Sequence, residues 1–214
     1  MKNIFLTLLL ARILSASTPE AVIFDFGGVV ADVDRKPLLQ FLSDSLDVPY
    51  AKIKKDFARD RLYQNLDKPL SFWELYAKRE LSLSWKAGFE QKKREILHSI
   101  PGMDPLIEQL KTLGLKVVLL SNTPKARSLF LRNLGGYQPF QMVILSCDIG
   151  VAKPNPKIFE IALKKLKVDA SSCLFIDDKK RNVDAAKKLG MDGIMFESPQ
   201  KLIEELKKRE IVLQ

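Results

Sequence analysis

The chain has 214 residues, 46% hydrophobic and 29% charged, which suits one α/β domain with an inserted subdomain, or two small domains, and excludes wholesale disorder. Its 35 Lys and Arg against 26 Asp and Glu give a net charge of +9; these cations are dispersed among acids rather than clustered with aromatics, so no nucleic-acid partner is expected. No stretch reaches the ~18 uninterrupted apolar residues of a membrane span, so stable membrane insertion is not expected either.

In chain order, Lys2 precedes an apolar run from Ile4 to Ala11, and Ser15-Ala16-Ser17 offers small residues for cleavage. Residues 1–19 therefore read either as a secretory leader or as an extra N-terminal helix. Arg12 is poorly placed for export, which tilts the reading towards a cytoplasmic protein. Residues 21–26, AVIFDF, form a buried strand that ends in the turn Gly27-Gly28. From Pro37 to Ile100 apolar residues recur at helical spacing, as in Leu38, Leu39 and Leu42, with no convincing strand between them. That predicts a helical subdomain over residues 35–100, flanked by a core of residues 20–34 and 101–214. His98 reads as a surface helix residue.

Beyond Pro101-Gly102, strands alternate with helices. A helix starts near Pro105 and ends at Gly114, and the apolar strand LKVVLLSN follows. A basic helix runs from Lys125 to Leu134, then the strand QMVILSC, then a loop holding Lys153-Pro154. Pro156 opens a helix, CLFIDD is a strand, a helix passes through Ala185, Ala186 and Leu189, MDGIMF is a strand, and Leu202 to Leu206 lie on a last helix. This alternation predicts an α/β fold with a doubly wound parallel sheet, whose ligands bind beyond the C-terminal ends of the strands. Two cysteines, Cys147 and Cys173, are too few for a disulfide framework.

The residues at those strand ends are Asp25, then Ser121 and Asn122, then Lys153, then Asp177 and Asp178. Any one alone reads as a cap or turn former. Together they bring three carboxylates, a hydroxyl and a cation to one crevice, and such a carboxylate cluster resists ionisation unless a cation neutralises it. Mg²⁺, bound by carboxylates and substrate phosphate oxygens, is the natural choice.

The ordered set FDFGGVV, LLSNT, KPNP and FIDD, with a helical insert after the first, resembles the haloacid dehalogenase-like hydrolases from about Ala21 to Phe196. The segment DFGGVVADVD is most similar to a subgroup of sugar-phosphate phosphatases. The resemblance implies a Mg²⁺-dependent phosphohydrolase acting on a small phosphorylated metabolite, with the insert as a cap and a Rossmann-like core. It makes Asp25 the nucleophile that forms an aspartyl phosphate, and Lys153 and Ser121 its catalytic partners. Ser121, Asn122 and Lys153 bind the substrate, while Asp25, the Gly27 carbonyl, Asp178 and Asp177 ligate Mg²⁺ directly or through water. Trp73, Tyr76 and Trp85 are candidates for the cap's entrance, although aromatics at helical spacing more often form core.

One position departs from the pattern. Most phosphatases of this superfamily carry a second aspartate, the general acid, where this chain has Gly27. Asp32 or Asp34 is then the substitute donor, or else the leaving group is good enough to need none. Two rival readings are a metal-free 2-haloacid dehalogenase, disfavoured by the acidic pair Asp177-Asp178, and a regulatory protein with an impaired core. The tripeptide Asp25-Phe26-Gly27 also occurs in protein kinases, but too little chain precedes it here for a nucleotide lobe. Oligomeric state has no signal in the sequence.

Overall fold

The computed structural model describes residues 18–58 and 60–213, so the expected leader lies outside the described residues except for its last two. Strand β1 (Ala21–Phe24) and the short β2 (Ala31–Val33) come first. The helices α1 (Lys36–Leu46), α2 (Tyr50–Asp56), α3 (Asp60–Asn65), α4 (Leu70–Ala77) and α5 (Leu83–Arg94) follow, and β3 (Leu97–Ser99) closes the insertion. The rest alternates: α6 (Met103–Thr112), β4 (Lys116–Ser121), α7 (Lys125–Asn133), β5 (Met142–Leu145), α8 (Ser146–Ile149), α9 (Pro156–Leu166), β6 (Cys173–Asp177), α10 (Lys180–Lys188), β7 (Asp192–Met195) and α11 (Pro199–Lys207).

Five strands make one sheet in the order β5-β4-β1-β6-β7, and every neighbouring pair is parallel. The fold is α/β and Rossmann-like, as expected. Its strands are apolar on both faces because helices cover both. Alternate residues divide accordingly. Val22, Phe24, Val117, Leu119, Leu174 and Ile176 join one core, and Ala21, Ile23, Val118, Leu120, Cys173 and Phe175 join the other. Both cysteines are free thiols, and the strands β4 and β1 separate β5 from β6. Among the described residues no helix is long and apolar enough to cross a membrane.

The stretch expected to be wholly helical is tied off by a small antiparallel ladder. Ala31 pairs with Ser99, Asp32 with His98 and Val33 with Leu97, so His98 stands exposed on a strand rather than on a helix. Three residues are too few to show an alternating pattern, which is why this pair left no trace in the sequence. The expected strand QMVILSC is likewise shorter, because the chain turns into α8 at Ser146 and Cys147 lies on that turn.

The insert has its own aromatic centre. Trp73 is 1% exposed, with ring centroids 4.8 Å from Phe89 and 5.4 Å from Phe57, while Trp85 stacks on Phe89 at 5.1 Å. Tyr76 donates a hydrogen bond to Asp56 at 2.6 Å. These three aromatics pack within the insert, Trp73 and Trp85 buried and Tyr76 half-buried. Where the insert meets the sheet layer, Tyr63 on α3 packs against Phe130 on α7 at 5.6 Å.

Candidate active site

A parallel sheet delivers the ends of its strands to one edge, and the polar residues that follow them meet there. Asp25 comes directly after β1, Ser121 closes β4, and Asp177 closes β6 with Asp178 behind it; Lys153 reaches in from the loop between α8 and α9. The lysine is 4% exposed. Its ammonium donates to Asp25 Oδ1 at 2.8 Å, to Asp177 Oδ2 at 2.8 Å and to the Leu120 carbonyl at 2.6 Å. Three donors thus have three acceptors, which is the full capacity of the group. Asn122 grips the lysine's own backbone, accepting from its N–H at 2.9 Å and donating to its carbonyl at 2.8 Å.

The two neighbouring aspartates differ sharply. Asp177 is fully buried and accepts from Lys153, from the Lys179 backbone N–H at 2.9 Å, and from Asn182 Nδ2 at 2.9 and 3.0 Å. Asp178 is only half-buried, and beyond a 3.3 Å bond from Lys179 to its Oδ1 no partner holds it among the described residues. It lies over Gly28, whose φ is +79° and where a Cβ would stand 3.0 Å from Asp178 Oδ2. Only glycine allows both that backbone conformation and that approach.

Burial pushes the Asp25 carboxyl above its ordinary range; the Lys153 ammonium opposes this, and the negative charge of Asp177 adds to it. One oxygen from each of Asp25, Asp177 and Asp178 lies within 4.8 Å of the others. The Asp178 carboxylate keeps lone pairs that no protein donor takes among the described residues, while Asp25 accepts from Lys153 through Oδ1 and from the Phe26 backbone N–H. A hard divalent cation is the group that such a carboxylate donor set suits.

Beside this cluster opens a cavity of about 200 Å³, smaller than the ~300–1,000 Å³ typical of drug-sized ligands. Asp25, Gly27, Ser121, Asn122 and Lys153 line it, whereas Asp177 and Asp178 are not among its lining residues. Asp32 and Asp34 are exposed and line none of it. Five polar residues that the sequence reading did not single out also line it: Thr123, Arg127, Lys179, Arg181 and Asn182. Asn182 had a signal, since it follows Asp177 by five residues and so turns back from the first turn of α10. Arg127 had none beyond membership of a basic helix.

A sequence profile described as haloacid dehalogenase-like hydrolase matches residues 19–190, most of the chain. The chain is a haloacid dehalogenase-like hydrolase. Within that family it is 29% identical over 182 residues to a phosphorylated carbohydrates phosphatase of Thermotoga maritima, covering 82% of this chain and 83% of that one. It is 26% identical over 189 residues to a beta-phosphoglucomutase of Bacillus subtilis, covering 82% of each. The fold is shared with a haloacid dehalogenase-like phosphatase of Thermococcus onnurineus, at a TM-score of 0.58 and 21% identity over 87% of this chain and 97% of that one. It is shared too with a haloacid dehalogenase-like enzyme of Bacteroides thetaiotaomicron in complex with magnesium and inorganic phosphate, at a TM-score of 0.55 and 20% identity over 84% and 95%.

Proposed function

We propose that this hydrolase is a Mg²⁺-dependent phosphomonoesterase that removes phosphate from a small phosphorylated metabolite, a sugar phosphate being the class best supported, through an aspartyl phosphate on Asp25. The observation that carries the reading is the Lys153 bridge. It fixes Asp25 by one oxygen, at 2.8 Å from Oδ1, and presents the carboxylate at the wall of an otherwise cationic cavity. The names of the relatives support the substrate class, since the phosphatase of Thermotoga maritima acts on phosphorylated carbohydrates.

Each residue then has a task. Asp25 Oδ2 attacks phosphorus, a bond forms between them, and the ester P–O bond breaks with its electron pair leaving on oxygen; water later cleaves the acyl phosphate. Lys153 neutralises charge beside the attacking carboxylate, and Ser121 offers its hydroxyl to a phosphate oxygen that is not transferred. The Asp25 carboxylate, the Gly27 carbonyl and Asp178 would hold Mg²⁺ directly. Asp177, whose oxygens are already engaged, would act on it only through water while it orients Lys153 and Asn182. Bound there, Mg²⁺ supplies positive charge between a carboxylate and a phosphate dianion that would otherwise repel each other. The helical insert of residues 35–100 would serve as a cap over the core.

Phosphate release from a panel of phosphorylated metabolites, with Mg²⁺ and with a chelator, tests this. We expect chelation to abolish turnover and Asp25→Asn to bring it to background while the fold survives. Undiminished turnover in either arm overturns the mechanism, and halide release from a 2-haloacid in chelator would assign the dehalogenase activity instead.

A further inference from the structure

Cleaving an ester P–O bond leaves a pair of electrons on the departing oxygen, which must be protonated by a nearby acid or stabilised as an anion. The cavity offers no carboxylic acid or imidazole for this besides the nucleophile, the ammonium of Lys153 is already engaged by three acceptors, and that of Lys179 is turned to Asp178. Asp25 is the sole carboxylate among its lining residues and no histidine is present, while Asp32 and Asp34 are exposed elsewhere. Tyr137, behind the wall, has its phenol pushed up to about 12 by burial, so it is a poor proton donor. What the cavity does hold is Arg127. At Gly27, two residues beyond the nucleophile, an added Cβ would have only one neighbour within 4 Å, Arg127 Nη2 at 3.9 Å. The absent side chain thus leaves a passage between Asp25 and a guanidinium.

Arg127 Nε is buried with no hydrogen-bond partner among the described residues, while the Thr123 and Tyr137 hydroxyls, on residues only 6% and 5% exposed, face each other. A buried donor of this kind is rarely left unpaired, since that costs free energy comparable to a lost hydrogen bond. A ligand oxygen presented to Arg127 would satisfy it.

We propose that Arg127 is the residue that selects the leaving group, receiving the departing oxygen as an anion where an acid would have protonated it. The inference rests on the phosphomonoesterase reading above and names the substrate class more narrowly: phosphate monoesters of acidic hydroxyls, which among sugar phosphates means those on the anomeric carbon. A guanidinium cannot give up a proton at physiological pH. It can hold an oxyanion by charge and hydrogen bonds until the oxyanion takes a proton from water. Esters of ordinary alcohols, whose alkoxides are far more basic, gain too little from this to be good substrates.

The test is a series of aryl and alkyl phosphates ranked by leaving-group acidity, assayed with Mg²⁺. Arg127→Met should slow phenyl phosphate by roughly tenfold to a hundredfold more than nitrophenyl phosphate, whose leaving group needs least help. Arg127→Lys should recover part of that difference. The ratio of wild type to Arg127→Met should not change between pH 6 and 9 (roughly), because a cation does not titrate there as an acid does. Gly27→Asp, which has room for its Cβ, should give no gain on alkyl phosphates, since Arg127 would hold the new carboxylate ionised; Gly27→Asp with Arg127→Met should show that gain. Thermal melting of each variant separates these effects from misfolding. Equal slowing of every ester by Arg127→Met, or a gain from Gly27→Asp alone, overturns the assignment. If the wild type hydrolyses none of the series and forms no phosphoenzyme, the phosphomonoesterase reading falls and this inference with it.

Discussion

Lys153 shows how much one buried side chain can organise. Its ammonium lies between two carboxylates that are 8% and fully unexposed at their side chains, with its own at 1%. Removing one member of such a group leaves charge buried without a partner, which costs ~3–5 kcal/mol. We therefore expect Lys153→Met to lower the unfolding free energy from urea denaturation by that much besides ending turnover, and Lys153→Met with Asp177→Asn to recover a substantial part. A single variant within about 1 kcal/mol of wild type would show that water reaches the cluster and screens it. At this scale the sequence was legible where a residue ends an apolar run. Asp25, Ser121 and Asp177 each stand where such a run stops, so strand geometry alone sends them to one edge. Arg127 and Asn182 sit on helices, and which face of a helix meets the site depends on how that helix lies on the sheet. Gly28 was visible only as half of a turn; that it makes room for Asp178 is a fact of two segments more than 140 residues apart in sequence, beyond any local pattern (~150 apart, of the order of the whole domain).

Among the elements, the core strands were legible because a parallel strand buried on both faces is a continuous apolar run, and β1 and β6 have no exposed residue at all. The β2–β3 ladder and α8 were not, since three or four residues are below the length at which period can be read. The last helix is held in a way that composition does not reveal. Arg209, just beyond α11, binds Asp192 at the start of β7 and also Glu205 Oε2 at 2.8 Å within its own helix. The Arg209 guanidinium holds the Asp192 carboxyl below its ordinary value of 3.8, and it adds to Lys208 in lowering that of Glu205. A carboxylate with a lowered value in the fold stabilises it fully above the unfolded value and loses that contribution as pH falls through the folded one. Arg209→Met should thus cost ~0.5–1 kcal/mol near neutrality, and the difference from wild type should vanish as the pH drops below 3.8. Denaturation curves across that range check it, and a deficit that persists in acid would mean the arginine acts by packing its stem.

At the scale of the whole molecule, the proposed metal site joins parts of the chain that fold far apart in sequence. Asp25 follows the first core strand and Asp178 follows the fourth of the five in chain order, with the entire insert between them. An ion held by both binds the folded chain and not the unfolded one, so it must raise stability by linkage, about 2.7 kcal/mol at a hundred times its dissociation constant. It also relieves the burial that pushes Asp25 upward, by giving its carboxylate a second positive neighbour. We expect Mg²⁺ to raise the melting temperature of the wild type in a saturable way, with no phosphate present. Asp178→Asn should abolish most of that rise, because it removes the partner whose oxygens the protein leaves free. Asp177→Asn should act differently: it loosens Lys153 and Asn182, so the metal-free protein itself should melt lower, while a metal-dependent rise persists. NaCl at matched ionic strength in place of Mg²⁺ controls for screening, which alone would shift wild type and Asp178→Asn equally. Should the two aspartates exchange these behaviours, Asp177 would be the direct ligand, and Asp178 would be left with the outer role.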